Sequence, residues 1–292
     1  KVGNIYTQEA YQLLKKLEFK SILKRFDGED ADEFTLDIEE IHDFAEMEQI
    51  FGDAAGKEEV GISLYKDGDR LYAALSISDN KVFLFQDEGF ITKEIIYGQI
   101  SRLYDSVKHA AMMEVKEYLG DLEVWEKTSS IFDISLAAYL VNPLKSTYEY
   151  DDIARDYLSL MIPSRKELLD KKKPMTKEDG LTEEGKKILG FEAYVSRESR
   201  RSLEEKLSEL GMMELYREIE IPTMFALYDM EERGIHVNRQ ALKDYGDQLI
   251  GRIEELQNSI YQEAGEEFNI NSPKQLGIVL FEHMKLEGGK KT

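Results

Sequence analysis

The spacing of apolar and polar residues changes along the chain, from strand-like near the beginning to helical near the end. A helical pattern at residues 8–26, with Thr7 as its N-cap, is followed by short apolar segments bounded by turn residues. These segments predict strands at Phe34–Ile38, Val60–Tyr65, Leu71–Ile77 and Lys81–Phe85, with a helix at about 41–51. The last three strands are separated by short Asp, Gly, Ser and Asn turns, so they are expected to form an antiparallel meander.

From about Thr92 the pattern is mainly helical, and it predicts one short strand at Val107–Met112. Residues 131–141 predict a helix that ends before Pro143, and residues 190–210 predict a long helix. Between them, residues 165–187 are rich in lysine and glutamate and predict a solvated or disordered loop. Strands followed by helices favour an α/β fold, with a mixed sheet flanked by helices.

The last eighty or so residues have no strand pattern and predict an all-helical arm. A helix at 214–233 should be interrupted at Pro222, and Asn238 should cap a long helix that reaches Ala264. Leucines recur every seven residues at Leu242, Leu249 and Leu256. Such a narrow apolar stripe is typical of two antiparallel helices rather than of a globular core.

Composition limits the classes of protein that fit. A length of 292 residues predicts two domains, and a formal net charge of −21 requires any nucleic-acid contact to be local. The absence of cysteine excludes disulfides and thiolate metal sites. There is no membrane-length apolar run and no signal-peptide pattern, which predicts a cytoplasmic protein. The first residue is not methionine, and we expect the chain to be a piece of a longer protein.

The segment Asn269–Leu276 marks a sharply defined helix start. Ser272 fits the N-cap, Pro273 the first helical position, and Gln275 the partner of a capping box. Free N–H groups at a helix start attract anions, and Lys274 adds positive charge. Two interpretations remain open at this point: a well-capped helix with no further role, or a phosphate contact.

Residues 268–276, 280–282 and 290–292 resemble the thumb of family A DNA polymerases, and residues 220–222 and 230–238 upstream resemble the same family's entry into the polymerase domain. The resemblance implies that this region grips the primer–template duplex, with contacts to sugar or phosphate from Asn269, Asn271, Ser272, Lys274, Lys290, Lys291 and Thr292. Residues 268–292 contain four lysines and two glutamates, so the local charge is positive. We therefore expect duplex DNA as the partner of residues 209–292, in a monomeric protein.

Residues 31–208 resemble the proofreading domain that precedes the polymerase in this family, which has an RNase H-like fold. The segments Phe132–Pro143 and Tyr150–Ala154 carry this resemblance. Residues 1–30 resemble a connector from a 5′-nuclease domain that the chain lacks. The metal-binding aspartates of the family's polymerase site lie beyond residue 292, so this piece is expected to have no cofactor of its own, although the whole polymerase would use Mg²⁺.

Active proofreading in the family requires carboxylates that hold two metal ions. In the family the first ligand motif is Asp-x-Glu on the first strand of the meander, where this sequence has Ile62, Ser63, Leu64 and Tyr65. The second motif offers only Glu114. The third, a tyrosine followed four residues later by aspartate, is changed to Tyr194 and Glu198, with Arg200 and Arg201 nearby. We therefore predict an inactive domain with no catalytic or metal-binding residues. One alternative is an active, displaced site formed by Asp37, Glu39, Asp133 and Glu198. Another is a free-standing binding module with the same fold.

Overall fold

The computed structural model describes residues 34–124, 129–169 and 174–288, together with Thr7, Ala10, Leu13 and Leu14. The chain divides into two compact units, Lys1–Glu232 and Arg233–Thr292, which we call the sheet unit and the helical unit. Most of the predicted helix at 8–26 lies outside the described residues. The N–H of Ala10 donates to Thr7 Oγ1 at 3.2 Å, the contact expected from an N-cap threonine.

A six-stranded mixed sheet forms the centre of the sheet unit. Its strands are β1 (Asp37–Ile41), β2 (Glu59–Asp67), β3 (Arg70–Ser78), β4 (Lys81–Gln86), β5 (His109–Met112) and β6 (Ile131–Asp133). Their spatial order is β1-β4-β3-β2-β5-β6. Strands β2, β3 and β4 are antiparallel, whereas β1 runs parallel to β4, and β5 runs parallel to both β2 and β6. The predicted meander and the predicted α/β class are confirmed.

Helices cover the sheet. They are α1 (Phe44–Ala55), α2 (Lys93–Ser106), α3 (Ile134–Val141), α4 (Tyr150–Leu158), α5 (Arg165–Leu168) and α6 (Glu183–Glu209), with a 3-10 turn at Val115–Tyr118. The long helix α6 lies against the sheet so closely that Gly61 on β2 has no room for a side chain. A Cβ built there would lie 2.0 Å from the carbonyl oxygen of Ala193.

The first strand and helix begin later than predicted. Strand β1 starts at Asp37 rather than Phe34, because its pairing with β4 begins at Asp37 and Lys81. Helix α1 starts at Phe44 rather than about residue 41, because the Asp43 side chain accepts the N–H of Glu46 at 3.0 Å and so caps the helix.

The predicted helix at 131–141 was wrong in its first three residues. Residues Ile131, Phe132 and Asp133 form β6, and the helix begins only at Ile134. Asp133 makes the change of structure possible, since its Oδ1 accepts the N–H of Leu136 at 2.9 Å and caps α3. All three residues of β6 are buried, and three residues are too few to show the alternation of apolar and polar positions that identifies a strand in a sequence.

The predicted loop at 165–187 was also wrong in its described part. It contains α5, a small hairpin of β7 (Thr176–Lys177) and β8 (Gly180–Leu181), and the first turn of α6. Thr182 begins the long helix by accepting the N–H of Gly185 at 3.1 Å, and its hydroxyl donates to the Met175 carbonyl at 3.0 Å. These hydrogen bonds order a stretch whose composition favours solvent.

The helix is not interrupted at Pro222 as predicted, but it is widened in the turn just before the proline. Helix α7 (Met213–Leu215) is followed by a π-helical turn at Tyr216–Glu220 and then by α8 (Ile221–Arg233). Proline has no N–H to donate, so the helix widens in the turn before it. This segment packs on the sheet, where Tyr216 is 1% exposed. The compact units divide after Glu232, and the domain boundary between Ser208 and Glu209 stays a prediction.

The helical unit contains α9 (Arg239–Ala264), α10 (Pro273–Ile278) and a π-helical turn at Val279–His283. Asn238 caps α9 by accepting the N–H of Ala241 at 3.0 Å, as predicted. Helix α9 ends at Gly265, whose φ of +74° favours glycine. No residue of α9 is buried, and its leucine stripe is about half exposed. The two-helix arm stays a prediction.

Candidate functional site

The start of α10 brings four of the predicted DNA-contacting residues into one turn. Asn269, Asn271 and Lys274 are exposed, and Ser272 is half-buried. The Asn269 side chain accepts the N–H of Asn271 at 3.0 Å, which closes a tight turn immediately before the helix. The other three predicted residues, Lys290, Lys291 and Thr292, lie outside the described residues.

The cap of α10 differs in one respect from the predicted capping box. Ser272 Oγ accepts the N–H of Gln275 at 3.4 Å, as expected. The Gln275 side chain, however, accepts the N–H of Asn269 at 2.8 Å rather than that of Ser272. The N–H of Ser272 donates instead to the carbonyl of Asn269 at 2.9 Å. The glutamine thus fixes the preceding turn to the helix, and the polar side chains are held in a defined arrangement.

A pocket of about 590 Å³ is lined by Ile62–Tyr65, the residues that replace the first metal-ligand motif. We call it the β2 pocket; its lining comprises Ile62, Ser63, Leu64, Tyr65, Met113, Glu114, Glu117, Tyr118, Ser135, Ser146, Thr147, Tyr148, Glu149, Arg165 and Glu192. Side chains alternate along a strand, so Gly61, Ser63 and Tyr65 share the face of β2 that meets α6. The contact of Gly61 with Ala193 and the hydrogen bond from Ser63 Oγ to Glu192 Oε2 at 2.7 Å establish this face. A pair of carboxylates two residues apart would have to occupy positions 63 and 65.

Two residues that the sequence interpretation did not select meet in this pocket. Arg165 Nη2 lies 2.5 Å from Glu192 Oε1, and the Glu192 side chain is 14% exposed. Burial raises the pKa of Glu192, and the nearby Arg165 charge and the Ser63 hydrogen bond oppose that rise. The signal in the sequence was weak, because Arg165 stands in the stretch predicted as a loop and Glu192 in the middle of a helix.

Glu114, the one candidate of the second motif, lies at the rim of the β2 pocket. Its backbone has a φ of +52°, in the left-handed region that a residue with a side chain rarely adopts. Loss of solvent around the carboxyl and repulsion from Glu117 raise the pKa of Glu114. A raised carboxyl pKa indicates that the pocket disfavours negative charge at this position.

The described residues that line the β2 pocket do not include Tyr194 or Glu198, the two residues of the third motif. Tyr194 packs against Phe34 with ring centroids 5.0 Å apart, and Glu198 pairs with Arg197. Arg200 bonds Glu59 and Glu204, and Arg201 bonds Glu205, which are the contacts of structural ion pairs.

The alternative carboxylate set is not brought together. Asp37 and Glu39 stand on β1, and Asp133 stands at the end of β6, at opposite edges of the six-stranded sheet. Five inter-strand spacings of about 4.8 Å separate these edges by roughly 24 Å. Glu39 pairs with Lys81 at 2.6 Å, and the Asp133 carboxylate accepts the N–H groups of Val115 and Leu136, each at 2.9 Å. Within residues 34–124, 129–169 and 174–288, no three His, Cys, Asp or Glu side chains are grouped to hold a metal ion.

None of the helices in the described part of the chain combines the length and apolar character that crossing a membrane requires.

Comparisons with known proteins agree with this architecture. The family model for DNA polymerase family A matches residues 239–292. The chain is 31% identical over 301 residues to DNA polymerase I of Streptococcus pneumoniae strain R6, covering 100% of this chain and 32% of the relative. It is 37% identical over 163 residues to DNA polymerase I of Bacillus subtilis strain 168, covering 55% of this chain and 18% of the relative. The chain thus spans about a third or less of the length of these relatives.

A solved structure has the same fold. It is described as the POL domain of Pol1 from M. smegmatis in complex with DNA primer-template and dNTP, and it matches with a TM-score of 0.62 and 20% identity. The match covers 87% of this chain and 42% of that chain. The chain belongs to DNA polymerase family A. Within that family it corresponds to a segment of bacterial DNA polymerase I.

Proposed function

We propose that this segment serves a DNA-directed DNA polymerase of replication or repair in two ways. Residues 31–208 act as a proofreading-type scaffold without nuclease catalysis. Residues 209–292 supply the beginning of the thumb that binds the primer–template duplex. Other regions of the polymerase carry out nucleotide transfer with Mg²⁺. The residues named here take no direct part in that reaction.

The observation that carries the first half is the chemistry of the β2 pocket. Two-metal hydrolysis requires several carboxylates that converge on ions about 4 Å apart. The two positions of β2 that face α6 across the pocket are Ser63 and Tyr65, and neither provides a carboxylate. Glu192, which does face the pocket, already bonds Arg165 and Ser63. The residues present therefore do not fit a pair of catalytic metal ions.

The second half is supported by the start of α10 and by the likeness to polymerases. Asn269, Asn271 and Lys274 are exposed together at a helix start, where side-chain amides and a lysine suit a sugar–phosphate chain. The related solved polymerase is described as a complex with primer-template DNA. We infer that these residues contact the backbone of the duplex and contribute affinity rather than sequence preference.

Digestion of a DNA 3′ end under single-turnover conditions tests the scaffold role. Labelled duplex with a frayed 3′ end is mixed with excess protein in Mg²⁺ or Mn²⁺, and an EDTA sample serves as the blank. The expected result is that cleavage does not exceed the EDTA blank. Metal-dependent shortening abolished by Asp37→Ala would instead support the displaced site, for which the sheet geometry gives no support.

A further inference from the structure

The β2 pocket concentrates negative charge around one arginine. Glu114, Glu117, Glu149 and Glu192 all line it, and Arg165 is the only basic side chain that lines it among the described residues. Carboxylates grouped in a partly closed space repel one another, and each favours protonation unless a positive charge is close. The Arg165 guanidinium provides that charge at 2.5 Å from Glu192.

The position of Arg165 is set by the fold. It is the first residue of α5, directly after Ser164, whose side chain accepts the N–H of Glu167, while the Glu167 side chain accepts the N–H of Ser164. This capping box fixes the direction of the short helix. The Arg165 side chain also reaches Met175, with Nη1 2.9 Å from the thioether sulfur. The guanidinium is therefore held over the pocket from two sides.

Both oxygens of the Glu192 carboxylate are engaged. Oε1 accepts from Arg165, and Oε2 accepts from the Ser63 hydroxyl at 2.7 Å. A metal ion that bound this carboxylate would compete with these donors for the oxygen lone pairs and would meet the guanidinium charge at close range.

We propose that Arg165 is a built-in counter-charge that replaces a divalent cation in the β2 pocket and excludes such cations from it. This inference rests on the proposed function, in which the pocket no longer holds a catalytic metal pair. Loss of the guanidinium would free Glu192 Oε1 in a pocket that Glu114 and Glu149 also line. Oxygen ligands of this kind suit Mn²⁺ or Mg²⁺, so the variant pocket should gain a weak cation site.

Thermal unfolding of the full 292-residue chain with and without Mn²⁺ tests the proposal. The samples are the unchanged protein, Arg165→Gln, and Arg201→Gln as a matched control that removes an exposed arginine paired with Glu205. Ionic strength is held constant, because the acidic surface binds cations weakly everywhere. We expect millimolar Mn²⁺ to raise the Tm of Arg165→Gln by about 3 °C and to change the other two by less than about 1 °C.

Two further variants show that the gain arises in the pocket. The double variant Arg165→Gln/Glu192→Gln should lose the Mn²⁺ response, because the freed carboxylate is gone. Arg165→Lys should stay unresponsive, because the positive charge is kept. Equal Mn²⁺ shifts in the unchanged protein and in Arg165→Gln would overturn the proposal, as would an undiminished response in the double variant.

The measurement remains decisive if Arg165→Gln does not fold without metal. Refolding from urea is then followed by far-ultraviolet circular dichroism, and the proposal expects Mn²⁺ to restore the folded signal. No recovery contradicts it. A different result would contradict the proposed scaffold role. That result is metal-dependent cleavage of a DNA 3′ end by the unchanged protein, and it does not depend on how Arg165→Gln responds to Mn²⁺.

Discussion

The hydroxyl of Tyr216 bridges the backbone of Asp133. It accepts the N–H of Asp133 at 2.7 Å and donates to the Asp133 carbonyl at 3.2 Å. Tyr216 comes from the π-helical turn after α7, and Asp133 ends the edge strand β6 and caps α3. The two bonds satisfy backbone groups that an edge strand otherwise leaves without a partner on that side. This contact explains why residues 209–232 pack with the sheet unit.

Replacing Tyr216 by phenylalanine removes both bonds and leaves the ring in place. We expect the free energy of unfolding to fall by about 1–3 kcal/mol, because buried backbone groups lose their partner. Urea unfolding monitored by circular dichroism measures the change. Tyr245→Phe is the matched control, since Tyr245 is 60% exposed on α9, and it should change stability by less than about 0.5 kcal/mol. Equal stability of Tyr216→Phe and the unchanged protein would contradict the bridging role.

Gly61→Ala should be strongly destabilising for a steric reason. The added Cβ would lie 2.0 Å from the Ala193 carbonyl oxygen, so helix α6 would have to move off the sheet. We expect a loss of about 2–4 kcal/mol, in the range of severe overpacking. In contrast, a Cβ at Gly98 of α2 meets nothing within 4 Å, and Gly98→Ala should stabilise by up to about 1 kcal/mol. Similar Tm values for the two variants would show that α6 and β2 are less tightly packed than described.

His109 is expected to weaken the fold in acid. It is 7% exposed; burial lowers its pKa, the Arg200 charge lowers it further, and Glu204 acts in the opposite direction. A histidine whose pKa in the folded state lies below its unfolded value of about 6.5 binds fewer protons when the protein is folded. Its effect on the free energy of unfolding is therefore absent above a pH of about 6.5, and the protein loses stability as the pH falls below that value.

Denaturant unfolding at pH 7.5 and pH 5.5 measures this effect. The loss of stability between the two pH values should be smaller for His109→Gln than for the unchanged protein. His42→Gln is the control in the same unit, because the His42 side chain is 63% exposed. An equal acid-induced loss in His109→Gln and the unchanged protein would rule out a contribution from His109.

Sequence patterns predicted those parts of the fold that depend on local chemistry. The antiparallel meander followed from short turns between apolar runs, and the caps at Asn238 and Ser272 followed from side chains that bond their own helix. Family resemblance added the order of the two regions. These signals lie within a few residues of one another, so a single sequence contains them.

The remaining features depend on contacts between distant residues. Strand β6 is identified by its pairing with β5, not by its three-residue sequence. The pairing of Arg165 with Glu192 forms only when α5 and α6 come into contact, and Arg165 stands in a stretch whose composition predicts a loop. Tertiary structure can therefore order a polar segment that local propensity assigns to solvent.

The central claim is that the turn before α10 contacts the sugar–phosphate chain of DNA. The most direct test is to measure equilibrium binding of a primer–template duplex at several salt concentrations. Lys274→Ala should weaken binding for every duplex sequence and reduce the slope of log K against log salt by about 1, because one phosphate contact is lost. Lys108→Ala removes the same charge from the sheet unit, where Lys108 pairs with Glu58, and should leave both quantities unchanged. If Lys274→Ala and Lys108→Ala bind the duplex with the same affinity and the same salt slope as the unchanged protein, the turn does not contact DNA.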